Sequence, residues 1–517
     1  MKKKVGTLLS LIMITATVLT ACGSSGNNNK EGTSAEPAES ASPTTETAQA
    51  TEAPQLDPYK LVMYYPASTA KDLGLVQDEL NKYLTEKINA TIELKPIDWG
   101  AWNDKTNLMF TSNEKFDVIF TASYLAYNSN STKGQYLQLD DLLDQYGQGI
   151  KDTLGPDWLK GSQIDGHSFA VPTLKEFAGS AGILFRKDLV DKYQIDLDSI
   201  NTLDELTPVF QKIKEGEPGV TPLVAAGSLN LTGMVGGYSL DNLSDTLGVL
   251  DPDKGDMKVV SLLETDKVKN TINLMRKWNL AGYVNKDAAT IKDDQLYNLM
   301  KAGKGFAFAA PTKPGKDAEM STTLGMELVQ KDFLKPQTTT GEATGAMLAI
   351  SRTSANPERA MMFLNLLYTD KELINLLDFG IEGTHYVKSA DNILSYPEGV
   401  TAQTSGYNPG TAWMFGNQMN TYLWDNEDPQ KWEKFKAFND SSTKSPALGF
   451  VWDPTNVKNE VAACANVKAE FNASLFTGAI DPDKYMSQYI QKLKDAGLDK
   501  IIAEKQKQLD EWAKTNQ

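Results

Sequence analysis

From Asp57 onward, short apolar runs alternate with amphipathic helical patterns. Lys60-Leu-Val-Met-Tyr-Tyr65 predicts a strand, and Gly74 to Ile88 predicts a helix with Leu75, Val76, Leu80, Tyr83 and Leu84 on one face. Ala90-Thr-Ile-Glu-Leu-Lys95 predicts a second strand. A tryptophan-containing turn, Asp98-Trp-Gly-Ala-Trp102, opens a helix that runs to Phe110, and Phe116-Asp-Val-Ile-Phe120 predicts a third strand. Strand and helix in strict alternation imply a largely parallel sheet with helices on both faces. Ligands of such sheets sit at the carboxyl ends of the strands, here Tyr65 to Ser68, Trp99 to Trp102 and Thr121 to Asn128.

A second series follows. Gly179 to Arg186 and Val220 to Ala226 predict strands, Lys267 to Asn279 a helix, and Gly305-Phe-Ala-Phe-Ala-Ala310 a strand ending at Pro311-Thr312. Gly345 to Ile350 predicts another strand, followed by a helix from Pro357 to Tyr368 with proline at its start, where helices favour it. The stretch from Pro482 to Trp512 is helical in pattern and charged on one face. After Val171-Pro172 the chain passes to a new sheet and after Gly341 it returns, so each lobe is expected to be discontinuous in sequence.

The N-terminus has a different pattern. Met1-Lys-Lys-Lys4 precedes an apolar stretch from Val5 to Leu19 that is too short for a standard membrane span and ends in Leu19-Thr-Ala-Cys22. This reads as an export signal over residues 1–21, and Leu-Thr-Ala-Cys resembles the bacterial lipobox, which implies a lipid on Cys22. Residues 22–56 are rich in Gly, Ser, Asn, Thr, Ala, Pro and Glu and hold no aromatic residue, so they read as a disordered tether. The expected location is the outer face of the cell membrane, lipid-anchored and of Gram-positive type, with a soluble body held near the surface.

Composition narrows the chemistry. The 517 residues carry a formal net charge of −16 with only 2 His and 2 Cys. That acidity argues against a nucleic-acid partner, and the scarcity of ligands argues against zinc or haem. Cys464, in Glu460-Val-Ala-Ala-Cys-Ala-Asn-Val467, is expected to pack in a core rather than act as a nucleophile, since His167 and His385 are the only histidine bases. No Gly-x-Ser-x-Gly elbow, Walker loop, Gly-x-Gly-x-x-Gly after the first strand, or His-Glu-x-x-His occurs. Asp251-Pro-Asp-Lys-Gly-Asp256 departs from the EF-hand spacing and reads as an acidic turn. No catalytic residue, metal or cofactor is expected.

Several segments carry a family resemblance. They are Phe116-Asp-Val-Ile-Phe-Thr121, Gln163-Ile-Asp-Gly-His-Ser-Phe-Ala-Val-Pro172, Gly182-Ile-Leu-Phe-Arg-Lys-Asp-Leu189, Gly303-Lys-Gly-Phe-Ala-Phe-Ala-Ala-Pro311 and Ile350-Ser-Arg-Thr-Ser-Ala-Asn-Pro-Glu-Arg-Ala360. In this order they resemble the family 1 extracellular solute-binding lipoproteins of bacterial ABC importers, the maltose-binding-protein-like kind. Ala447-Leu-Gly-Phe-Val-Trp-Asp453, Val461 to Val467, Ile480-Asp-Pro-Asp483 and Lys492 to Ile501 resemble the uncharacterised C-terminal segment of a Gram-positive branch. The resemblance implies an α/β, two-lobed periplasmic-binding-protein-like fold of type II, each lobe a mostly parallel sheet flanked by helices, with an extra helical C-terminal part. It places residues 57–172 and about 341–375 in the first lobe, and 173–340 and about 376–517 in the second. The implied partners are a small-molecule ligand in the cleft and an importer permease, with the receptor acting as a monomer.

A sugar ligand needs flat apolar faces for its C–H side and planar polar groups for its hydroxyls. The residues at strand ends and crossings that fit are Tyr65, Trp99, Trp102, Ser123, Tyr124, Lys175, Glu176, Tyr238, Thr312, Tyr386 and Trp413. The reading is a non-enzymatic receptor that captures an oligosaccharide by lobe closure and delivers it to the permease. The alternatives are a peptide or uronate-type ligand, for which Lys175 and Arg186 could pair with a carboxylate, and a secreted polysaccharide-degrading enzyme.

Overall fold

In the computed structural model, residues 56–516 are described, and the signal, tether and Cys22 assignments lie outside them apart from Leu56. Strand β1 (Tyr59–Pro66) pairs in parallel with β2 (Ala90–Ile97) from Tyr59 opposite Ala90 to Pro66 opposite Ile97. It also pairs in parallel with β3 (Val118–Thr121), whose four residues are all buried. Between β1 and β2 the helix Leu73–Ile88 buries Val76, Leu80, Leu84 and Ile88, an i, i+4 stripe, whereas Leu75 points to solvent. The left-handed Asn89 ends this helix, and the buried Arg359 donates to the freed carbonyls of Ile88 at 2.6 Å and Asn89 at 2.8 Å.

Two short strands complete this sheet in the order β2-β1-β3-β10-β4. Strand β4 (Val171–Pro172) carries the chain out of the lobe, and β10 (Met347–Ile350) brings it back. An out-and-back pair must run in opposite senses, and β10 is antiparallel to both β3 and β4. The second sheet comprises β5 (Ser180–Arg186), β6 (Thr221–Leu223), β7 (Gly305–Thr312) and β8 (Leu328–Asp332) in the order β6-β7-β5-β8. It is mixed rather than mostly parallel: β5 is antiparallel to both neighbours, and only β6 and β7 run together. Apolar runs establish that strands are buried, but their direction follows from where the connections enter.

Three segments lie side by side between the lobes. The first, residues 173–179, leaves β4; the second holds β9 (Gln337–Thr338) and the helix Thr340–Ala343. The third, from Gly416 to Lys444, lies along both in the parallel sense: the Leu174 N–H donates to Gly416 O at 2.8 Å in a parallel bridge of Leu174 with Asn417, and Thr443–Lys444 pairs in parallel with β9. Asn439 fastens this third segment to the first, its Oδ1 accepting from the Phe177 N–H at 2.8 Å and its Nδ2 donating to Lys175 O at 2.8 Å.

The region from 376 to about 415, expected with the second lobe, packs instead on the first. Leu377, Tyr407, Met414 and Phe415 are buried in the same core as β1, β3 and β10. The C-terminal helices Lys458–Phe476, Pro482–Asp495 and Leu498–Asn516 pack on residues 240–272. The helical pattern expected to run from Pro482 to Trp512 is thus broken in two. Gly497 turns the chain at φ +105°, where a Cβ would lie 2.5 Å from Glu460 Cγ. Cys464 is fully buried in this packing, with its thiol 3.6 Å from Leu493 O. Among the described residues, no helix is long and apolar enough to cross a membrane.

Candidate ligand-binding site

The carboxyl ends of β2 and β3 present an aromatic face. Trp99 sits on the short turn Trp99–Ala101 directly after β2 and is 45% exposed. It stacks on Trp413, brought in by the turn Ala412–Met414, with ring centroids 6.3 Å apart and planes inclined by 6°. Phe120, near the end of β3, meets both rings edge-on at 6.5 and 5.7 Å and fixes their tilt from beneath. Tyr124, on the turn Ser123–Leu125 that follows β3, is 57% exposed. Its neighbour Ser123 is also exposed, and the Ser123 N–H donates to Thr344 O at 2.9 Å, tying this turn to the second crossing segment.

Polar groups gather along the crossings. The Glu176 carboxylate lies 3.3 Å from the Lys175 ammonium and 3.1 Å from that of Lys313, which follows β7 in the second lobe. Burial pushes the Glu176 pKa up, but the two ammonium groups outweigh it and hold the carboxyl below its usual range. The Tyr238 hydroxyl donates to Glu342 Oε1 at 2.9 Å, Thr339 donates to the other carboxylate oxygen, and the Gln337 amide donates to Tyr238 O. Burial and the neighbouring Glu342 raise the Tyr238 phenol, so it stays protonated and serves as a donor. Lys313, Gln337, Glu342 and Asn439 were not evident in the sequence, because scattered polar residues on a crossing segment have no periodicity to mark them.

Of the residues expected at the site, Trp99, Trp413, Ser123, Tyr124, Lys175, Glu176 and Tyr238 lie at the strand ends or crossings with polar or aromatic surface in reach. Four do not. Trp102 begins the helix Trp102–Ser112 and is 3% exposed, on the inward stripe with Thr106, Met109 and Phe110. Tyr65 is buried edge-on against Phe415 at 5.3 Å, and burial raises its phenol. Tyr386 is buried in a small separate cluster with Leu394 and Tyr422, its phenol pushed up to about 12 by desolvation. Thr312 is buried in β7, opposite Ser180. These four are packing residues, and none presents an open ring face or hydroxyl to a ligand. Among the described residues, no cluster of three or more His, Cys, Asp or Glu side chains is placed to hold a metal ion.

Comparison with known proteins agrees with this architecture. Residues 68–373 match the family described as bacterial extracellular solute-binding protein, and residues 446–514 match a domain of unknown function, DUF3502. A carbohydrate ABC transporter substrate-binding protein of Streptococcus pneumoniae is 30% identical over 465 residues, covering 87% of this chain and 90% of that protein. The crystal structure of the N-glycan transport solute-binding protein NgtS from Streptococcus pneumoniae superposes with a TM-score of 0.78 at 28% identity, covering 89% of this chain and 100% of that one. The NgtS complex with Man1GlcNAc gives 0.66, also at 28% identity, with coverage of 88% and 100%. The Man5GlcNAc complex gives 0.63 at 28% identity, with coverage of 89% and 99%. These relatives are substrate-binding proteins of ABC transporters, not enzymes, and this chain belongs to the bacterial extracellular solute-binding protein family.

Proposed function

We propose that this protein is a lipid-anchored extracellular receptor that captures an oligosaccharide between its lobes and delivers it to the permease of an ABC importer. The observation that carries the reading is the half-exposed Trp99 ring, backed by the partly buried Trp413, with exposed Tyr124 on the adjoining strand end. Flat aromatic faces of this kind accept the C–H side of sugar rings, and the carboxylate, amide and hydroxyl groups on the crossings match the hydroxyl side. NgtS, which is known in complex with Man1GlcNAc and Man5GlcNAc, supports a neutral glycan as the ligand class. A uronate ligand fits less well, since Lys175 and Lys313 are both engaged by Glu176. The Leu19-Thr-Ala-Cys22 sequence supports anchoring through Cys22.

Binding works through the lobes. A ligand that touches both favours their closed arrangement by as much as it binds that arrangement better, and the closed form is what a permease can recognise. The test is a thermal-shift and calorimetric panel of Man1GlcNAc, Man5GlcNAc and oligogalacturonides, with chromatography of the sugars afterwards. The expected result is a raised melting temperature with a neutral glycan and no turnover. Release of a shortened product, or no response to any saccharide, overturns the reading.

A further inference from the structure

A half-open cavity of about 270 Å³ lies in the second lobe beside the helix Thr340–Ala343. Three stretches far apart in sequence meet there: residues 233–246 of the second lobe, residues 337–342 of the crossing, and the last turns of the helix Lys458–Phe476. At roughly 30 Å³ per water, the space equals about nine waters, the scale of one sugar ring rather than of a chain. It is also smaller than the usual pocket for a drug-sized ligand.

The wall is made of groups suited to such a ring. Tyr238 and Phe476 supply aromatic surface and Leu262 supplies aliphatic surface. The Glu342 carboxylate is an acceptor held in place by the Tyr238 and Thr339 hydroxyls. Asn242 Oδ1 accepts from the Ser244 N–H at 3.0 Å, so the NH2 of this amide is left to donate. Asn472 commits its Oδ1 to the Tyr489 hydroxyl, and among the described residues its Nδ2 has no protein partner. Fixed donors, a fixed acceptor and flanking rings are what a neutral pyranose needs. Glu342 is the only ionised side chain in the wall, and Lys468 reaches only Thr246 behind it. A carboxylate on the ligand would therefore face Glu342 without a cation of its own.

We propose that this cavity is an end pocket for one neutral sugar ring, built jointly by the second lobe, the crossing segment and the C-terminal segment of unknown function. The proposal rests on the oligosaccharide-receptor reading and deepens it. It gives residues 446–514 a part in binding through Asn472 and Phe476. The pocket also meets the first-lobe face at one place: Glu342 lies two residues before Thr344, whose carbonyl is held by Ser123 beside Tyr124.

The test uses the full mature chain, calorimetry with Man1GlcNAc and Man5GlcNAc, and the same glycans with a terminal ring oxidised to a uronate. Asn472→Asp keeps an acceptor for Tyr489 and removes the donor. Gly237→Leu fills the space, since a Cβ at Gly237 meets nothing nearer than Thr232 O at 3.7 Å. Each variant is expected to weaken the neutral glycan by about tenfold or more, the effect of an unpaired buried group or a lost ring site, with the unligated melting temperature unchanged. Wild type is expected to refuse the uronate-ended forms. If Trp99→Ala loses binding while Asn472→Asp and a folded Gly237→Leu do not, the end pocket is overturned and the receptor reading stands. Equal binding of neutral and uronate-ended glycans also overturns it, and failure of wild type to bind any glycan overturns both.

Discussion

Trp99 and Trp102 stand three residues apart in one turn and face opposite ways. Trp99 precedes the helix and remains 45% exposed on its Trp413 partner, whereas Trp102 is the first helical residue and is 3% exposed. Trp99→Ala is expected to weaken glycan binding by about 1–3 kcal/mol while the unligated protein melts as before. Trp102→Ala is expected to cost about 3–5 kcal/mol of stability in denaturant titrations, the usual result of a large cavity. The sequence shows both rings in the turn Asp98–Trp102 but does not show where the helix begins, and that boundary alone decides which ring is inward. Asp378 was equally hidden. It is buried in the helix Lys371–Phe379, and neither carboxylate oxygen has a hydrogen-bond partner among the described residues. Burial holds its pKa well above the ordinary 3.8. Above pH 3.8 the unfolded chain releases this proton while the folded one keeps it, so stability falls as pH rises toward the folded pKa. Asp378→Asn is expected to flatten that decline above about pH 4, measured by urea unfolding at increasing pH; an unchanged slope contradicts the assignment.

Elements were legible where apolar periodicity is strong. The strands at Lys60–Tyr65 and Ala90–Lys95, and the helix at Pro357–Tyr368, fall within a residue or two of β1, β2 and Pro357–Thr369. Periodicity carries no information on strand direction or on partners across the chain. The mixed second sheet, and the attachment of 376 to about 415 to the first lobe, are therefore tertiary outcomes. The same holds for the C-terminal helices, whose charged face conceals a buried cation. Lys505 is fully buried, its ammonium 2.8 Å from Asp245 Oδ1, 3.0 Å from Gly248 O and 5.1 Å from the Trp452 ring centroid. Trp452 Nε1 donates to the other Asp245 oxygen at 3.0 Å, so one carboxylate joins two parts of the C-terminal segment to the second lobe. Lys505→Met removes the cation and leaves Asp245 half-paired. The expected cost is about 2–4 kcal/mol, somewhat reduced by the partial exposure of Asp245. Unfolding that begins in residues 446–514, followed by hydrogen exchange, is the accompanying signature.

For the whole molecule, the proposed function turns on the arrangement of the lobes. The discontinuity of each lobe could be read from the two places where the chain changes sheet, but the open or closed state is set by contacts that no local pattern encodes. NgtS has the same 28% identity to this chain in all three comparisons, yet the TM-score is 0.78 for the first structure and 0.66 and 0.63 for the complexes with Man1GlcNAc and Man5GlcNAc. With sequence constant, the difference is a matter of geometry, and it places this structure nearer the first NgtS form than the glycan-bound ones. A change in lobe arrangement would be absorbed at the three crossings, because they hold short strands and loops rather than packed sheet. Glycan binding is accordingly expected to compact the protein. Small-angle scattering should show a smaller radius of gyration at saturation, with little change in far-UV circular dichroism, because rigid lobes move without refolding. At a free glycan concentration 100 times Kd, the same binding should add about 2.7 kcal/mol to unfolding. Stabilisation without compaction would mean that the ligand occupies one lobe only and would contradict the proposed capture by lobe closure.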